Sequence, residues 1–183
     1  MIGETGKARI RREEDGFFDK YCKGNIIDIG AGAWPVVPHA TVYDKKDGDA
    51  TFMTGIADNI YDFVYSSHCL EHIADDYAAV SNWWRILKPG GHLFISVPHR
   101  DFYEKRSNLP SRWNKEHKRF YLPMSAEAPD TVSLMSFILN AMNRISGSFE
   151  LISLHVRTDG WTRPNPNLHS NGEYSIELLI KKV

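Results

Sequence analysis

Residues 25–44 read N-I-I-D-I-G-A-G-A-W-P-V-V-P-H-A-T-V-Y-D, an apolar run that stops in a glycine turn, then a second β-branched run that stops in an acid. Ile26, Ile27 and Ile29 carry the branched side chains of a buried strand. Gly30 and Gly32 free the backbone to turn sharply and to approach a ligand closely. Asp44 supplies a carboxylate where a ribose would offer two hydroxyls, at the carboxyl end of a parallel strand. The stretch reads as a nucleotide-binding edge, or as a plain strand, turn and strand whose glycines only make the corner. The residues downstream decide between these.

A second buried strand at 61–65 (Y-D-F-V-Y) runs into Ser66-Ser67-His68-Cys69-Leu70-Glu71-His72. A helical stretch with Trp83, Trp84, Ile86 and Leu87 follows, then the turn Leu87-Lys88-Pro89-Gly90-Gly91 and a strand over 92–97. With D-I-G-x-G, L-E-H and L-K-P-G-G in this order, the chain resembles the class I S-adenosylmethionine-dependent methyltransferases. The resemblance covers 11–123 motif by motif and the remainder in outline. It implies an α/β fold with a Rossmann-like sheet of seven strands, mostly parallel with an antiparallel C-terminal strand, and S-adenosylmethionine as cofactor.

Composition sets the limits of this reading. A chain of 183 residues, 42% hydrophobic and 25% charged, suits a single methyltransferase domain, 1–183, with a sizeable core. The formal net charge of −1 gives no global reason to expect nucleic acid or a membrane surface as partner. Cys22 and Cys69 form no C-x-x-C pattern, which fits a reducing, cytoplasmic setting and offers neither a disulfide framework nor a zinc knuckle. The polar, basic start excludes a secretory signal, and no run reaches membrane-spanning length.

Residues 1–24 are expected to form a helical cap, with Phe17, Phe18 and Tyr21 on the sheet edge and Gly16 interrupting any single long helix. In relatives such a cap often covers the cofactor. The segment 33–40 is too short for a usual crossover helix and contains Pro35 and Pro38, so an irregular loop, or a shifted strand, is expected there. The first helix is thus abbreviated. Asp49 and Ala50 read as the short end of a third strand, where relatives set an acid opposite the adenine amine. The cofactor has no phosphate, so Gly30, Ala31 and Gly32 give its methionine and ribose parts a close-fitting backbone. A nicotinamide enzyme would want a third glycine and a helix where Trp34 and Pro35 stand. Asp28 either bonds the loop backbone and sets the turn, or lies near the cofactor's amino group.

The reaction floor is expected at 66–72, where small Ser66 and Ser67 leave room for the cofactor. His68, Glu71 and His72, at i, i+3 and i+4, share one face of a helical turn. A histidine steadied by a carboxylate can take the proton from an acceptor hydroxyl, and His72 is assigned that part with Glu71, His68 and the distant His117 in support. Glu71 and His72 bracing the next helix is the plainer alternative. Small-RNA methyltransferases hold a divalent ion on an E-x-x-E-H turn with a distant histidine. Here His68 stands for the first glutamate, which argues against magnesium, and no metal is assigned.

Residues 99–123 read as a lid or acceptor loop with an excess of Arg and Lys, suited to an anionic acceptor, and with Tyr103, Trp113, Phe120 and Tyr121 suited to stacking on a sugar or base. A solvated excursion with its aromatics packed beneath is the alternative. A helix over 131–145 and strands over 149–156 and 174–180 close the domain. The hairpin loop 157–173 is a second rim of the site or an oligomer contact. The expected activity is O-methylation of a small anionic or sugar-containing acceptor of glycan or nucleotide-sugar chemistry. An RNA methyltransferase with a divalent metal and a non-catalytic S-adenosylmethionine-binding module are the other two readings.

Overall fold

The computed structural model describes residues 4–183. Helix α1 (Glu4–Glu14) and the short α2 (Phe17–Tyr21) are separated at Gly16, whose φ of 66° no helical residue adopts. Strands β1 (Ile26–Ile29), β2 (Thr41–Tyr43) and β3 (Tyr61–Ser67) follow, then a 3-10 turn at Leu70–His72 and helix α3 (Asp76–Ile86). Asp75 caps α3 by accepting from the Ala78 N–H at 3.0 Å. Strand β4 (Leu87–Pro98), a tight turn at Arg100–Glu104, the paired β5 (Phe120–Leu122) and β6 (Thr131–Ser133), α4 (Leu134–Arg144), β7 (Phe149–Arg157) and β8 (Ser175–Lys182) complete the chain.

The main sheet has six strands in the order β2-β1-β3-β4-β8-β7. β2, β1, β3 and β4 run parallel, and β8 is antiparallel to both β4 and β7. The α/β class, the mostly parallel sheet and the reversed strand near the C-terminus all match the expected fold. Among the described residues no seventh strand joins the sheet: residues 49–50 lie in a turn, and β2 is the sheet edge.

Side chains of α3 take over the work of the lost strand. Trp83 Nε1 donates to Ala50 O at 2.9 Å, Asn82 Nδ2 to Thr51 O at 3.0 Å, and Arg85 to the carbonyls of Met53 and Ile56. Met53, wholly buried, pins the segment to the core. The carbonyls of Ala50, Thr51, Met53 and Ile56 thus have donors without a ladder.

Two cores sandwich the sheet by alternation. Ile27, Ile29, Val64, Leu93 and Ile95 face α3 and α4 with Trp83 and Ile138. Ile26, Phe63, Tyr65 and Phe94 face the other way, onto Phe17, Phe18 and the loop residues Val36 and Val37. The irregular loop expected at 33–40 is observed, and it and the N-terminal helices cover the face that a full crossover helix would cover. Buried Arg12 fastens α1 there: it bonds Glu177 of β8 and Tyr65 of β3, and its guanidinium lies 4.8 Å from the Phe94 ring centroid. Arg11 adds a fork to Glu173 at 2.9 and 2.8 Å. No helix among the described residues is long and apolar enough to cross a membrane.

Candidate active site

From β1 the chain goes outward to β2 and then back past β1 to β3, so the loops part beyond the carboxyl ends of β1 and β3. A cleft of about 850 Å³ opens there, a volume within the usual range of small-ligand pockets. It is lined by Gly30, Asp44, Asp49 and Ala50 and by His68, Cys69 and His72. Asn114 and Glu116, from the loop expected to be a lid, close over it.

The turn after β1 is built for close approach. Gly30 has φ 80°, and a Cβ there would meet Cys69 Cβ at 2.8 Å, so the turn packs directly on the strand-to-helix connection below. At Gly32, φ 59°, a Cβ would project into open space. Gly32 N donates to Asp44 Oδ2 at 2.7 Å and Lys45 N donates to Oδ1 at 2.6 Å, which fixes the carboxylate at the mouth. Asp49 is held below its usual carboxylate pKa by hydrogen bonds from the Thr51 backbone and side chain, so it stays ionised. A ribose diol beside Asp44 and an amine beside Asp49 fit this donor and acceptor set.

Asp28 does not line the cleft. Its Oδ2 accepts from Val36 N at 2.6 Å, tying down the irregular loop, and burial pushes its carboxyl up to about 7. Of the two roles expected for it, the loop-setting one has a bond to support it. Ser66 and Ser67 are buried at the end of β3, Ser66 completely, and Ala31 and Gly32 belong to the turn rather than to the cleft wall.

His68, Glu71, His72 and His117 do come together. His68 takes a left-handed φ of 55° ahead of the 3-10 turn, so the shared face is not that of a regular helix. Glu71 Oε1 lies 3.5 Å from His68 Nδ1 and 4.0 Å from His72 Nε2. Burial lowers the pKa of the His72 imidazole, and neighbouring Glu71 only partly opposes this, so His72 is neutral near pH 7. The His117 ring sits edge-on to that of His72 with centroids 4.7 Å apart. Lys118 N donates to Glu71 O at 2.7 Å, which pins the long loop onto the turn.

Glu104 escaped the sequence reading. It is buried, and its Oε1 lies 2.6 Å from Nδ1 of His117. One of three acids in a basic loop, it carried no distinguishing signal, and the tight turn that aims it is not readable from spacing. Several loop residues read as acceptor-binding have other work. Arg100 pairs with Asp101 and Glu127, Lys105 with the carbonyls of Arg163, Asn165 and Leu168, Arg112 with Pro166 O and Asn167, and Arg119 with Asp76. Phe120 and Tyr121 are buried, so they pack beneath the loop and do not stack on a ligand. The 157–173 loop is thus the partner of the 99–123 loop within the domain.

A family model described as a methyltransferase domain matches residues 26–95. Phosphoethanolamine N-methyltransferase 2 of Caenorhabditis elegans is 25% identical over 100 residues, which are 55% of this chain and 22% of that protein. The chain thus spans about a fifth of the length of that curated relative. A putative S-adenosylmethionine-dependent methyltransferase from Listeria monocytogenes superposes with a TM-score of 0.58 at 15% identity, covering 97% of this chain and 98% of that one. One from Archaeoglobus fulgidus gives 0.58 at 14% identity, covering 98% and 95%. Residues 26–95 therefore match a methyltransferase-domain model, and the whole chain has the fold of the class I S-adenosylmethionine-dependent methyltransferases. The Listeria and Archaeoglobus proteins are both described as dependent on S-adenosylmethionine.

Proposed function

We propose that the chain methylates an oxygen of a small, sugar-containing or anionic acceptor, using the cleft described above. The observation that carries this reading is one continuous cavity lined by both Asp44 and Asp49 and by His68 and His72. Gly30 would hold the methionine part on the turn that Ala31 and Gly32 complete, Asp44 the ribose and Asp49 with Ala50 the adenine, with Asp28 shaping the loop behind and Ser66 and Ser67 buried beneath the site. Bound S-adenosylmethionine supplies a methyl group on a sulfonium, which leaves as a neutral thioether.

The residues of this chain do the rest. An acceptor hydroxyl must lose its proton as the new C–O bond forms, and neutral His72 can take that proton and pass it to water. Glu71, steadied between His68 and His72, favours the imidazolium that results. Amine acceptors, such as the one in the name of the nematode relative, need less help of this kind because a neutral amine is already a nucleophile. A carboxylate–histidine cluster favours an oxygen. Polar Thr51, Asn114 and Glu116 suit an acceptor rich in hydroxyls, and Lys45 can meet an anionic group at the mouth. Two unbridged cysteines fit a reducing, cytoplasmic setting.

Calorimetric titration with S-adenosylmethionine and S-adenosylhomocysteine tests the cofactor half, and release of S-adenosylhomocysteine with hydroxyl acceptors tests the rest. The His72→Ala variant should bind cofactor normally and lose transfer. Cofactor binding with no turnover on any hydroxyl acceptor would favour a binding module. Failure to bind the cofactor would end the reading.

A further inference from the structure

We propose that Glu71, His72 and His117 form a binding site for a divalent first-row transition ion. One ligand atom from each lies within 4.8 Å of the others, and His72 among them lines the cleft. Glu71 comes from the turn after β3 and His117 from the long loop, so the site joins two segments 46 positions apart (117 − 71). This reverses the metal-free expectation drawn from the sequence.

The Glu71 carboxylate is the first argument. It is 1% exposed, and neither oxygen accepts a hydrogen bond among the described residues, the nearest histidine nitrogens being 3.5 and 4.0 Å away. A buried carboxylate without donors is costly, and a cation removes that cost. Nδ1 of His72 is likewise buried and without a hydrogen-bond partner. Nε2 of the same ring, 4.0 Å from Glu71 Oε1, is the nitrogen that stands beside the carboxylate.

Glu104 is the second argument. With Nδ1–H of His117 directed at Glu104 across 2.6 Å, the Nε2 nitrogen keeps its lone pair as a ligand. A histidine that ligates a metal usually donates its other ring N–H to a carboxylate or carbonyl, which sets its tautomer and orientation. Glu104, itself buried, has no other use in the site.

The donor set chooses the ion. Two imidazoles and one carboxylate suit zinc, cobalt, iron or manganese, whereas magnesium prefers oxygen ligands and keeps its waters. Ligands about 2.1 Å from an ion stand about 3–4 Å apart, so a modest closing of the Glu71 side chain onto the histidines forms the site. Three protein ligands leave coordination positions open, and His72 puts the site beside the cleft. Taken with the methyl-transfer reading, on which this last step rests, an acceptor oxygen would bind there. His72 would then give its lone pair to the ion, and the ion would acidify the hydroxyl in its place.

The test uses the full chain, stripped with a chelator and titrated with Co²⁺, Zn²⁺ and Mg²⁺. The expected result is saturable Co²⁺ binding with visible d–d absorption, displaced by Zn²⁺ and not by Mg²⁺. Glu71→Gln and His117→Ala should abolish it, while Glu104→Gln should weaken it about 10–100-fold. Each variant should keep wild-type affinity for S-adenosylmethionine, which separates loss of the ion from loss of the fold. Absence of saturable Co²⁺ and Zn²⁺ binding by the wild type would overturn the proposal, and so would binding that the three variants leave unchanged. Because ion binding and cofactor binding are read separately, failure of the ion site would leave His72 as base intact.

Discussion

Gly32 donates its backbone N–H to Oδ2 of Asp44 across 2.7 Å, so the turn after β1 and the acid after β2 form one unit at the cleft mouth. Replacing Asp44 by Ala removes an anchor of the turn together with the acceptor for a ribose hydroxyl. A hydrogen bond to a charged group contributes about 1.5–3 kcal/mol, so cofactor affinity should fall about 10–100-fold in a calorimetric titration. Asp44→Asn keeps an acceptor for Gly32 and should lose less. An unchanged Kd in the Ala variant would remove the ribose assignment.

Trp83 holds the segment that replaces a strand, through its Nε1 bond to Ala50 O. Trp83→Phe leaves that carbonyl without its donor and a cavity where the larger ring was. The combined loss should be about 2–4 kcal/mol, read as a lower midpoint in denaturant unfolding. Because Ala50 lines the cleft, cofactor affinity should fall as well. Full stability in this variant would mean that residues 45–60 are held by their own turns.

The sequence made β1 and β3 legible because Ile26, Ile27, Ile29, Phe63 and Val64 admit no exposed alternative, and each is buried. The glycine turn was legible from its short spacing, and so was the nearness of His68, Glu71 and His72, although they meet around a 3-10 turn and not on a helix face. Residues 49–50 misled because a strand and a turn stapled by tryptophan, asparagine and arginine side chains leave the same short polar signature. The basic loop misled in another way. Lys105 and Arg112 are bonded to main-chain carbonyls of the 157–173 loop, and a carbonyl partner has no letter in a sequence. Glu104 was hidden likewise, since its partner His117 is 13 residues away across irregular backbone.

Acid sensitivity should be set by Glu177. Burial alone would raise its pKa, but Arg12 and Arg11 overcome that and hold it down to about 2. A depressed carboxylate contributes stability that is present above its unfolded pKa of about 4.3 and is lost as pH falls through the folded value. For this nearly buried group the contribution is on the order of 3 kcal/mol. Unfolding free energy should therefore drop between about pH 4.5 and 2. Glu177→Gln should be less stable near neutrality, with Arg12 left buried and unpaired, and should show a flatter acid limb. Parallel pH profiles for the two proteins would show that another carboxylate governs this range.

Gly32 separates fold from function most cleanly. A methyl group there meets nothing within 4 Å, so Gly32→Ala carries only the strain of a φ of 59° in a residue with a side chain. That strain is about 1 kcal/mol, a small shift in thermal midpoint for a domain of this size. Gly30→Ala, by contrast, drives a Cβ to within 2.8 Å of Cys69 and should be far less stable. If the open space above Gly32 is where the cofactor's methionine or ribose comes close to the backbone, the added methyl should weaken S-adenosylmethionine binding by tenfold or more, equal to about 1.4 kcal/mol. The comparison that counts is the ratio of the two effects. A Gly32→Ala protein that unfolds near the wild-type temperature yet binds the cofactor poorly assigns the glycine to the ligand. One that loses about as much stability as affinity assigns it to the turn alone, and the cradle would then have to be sought nearer Gly30.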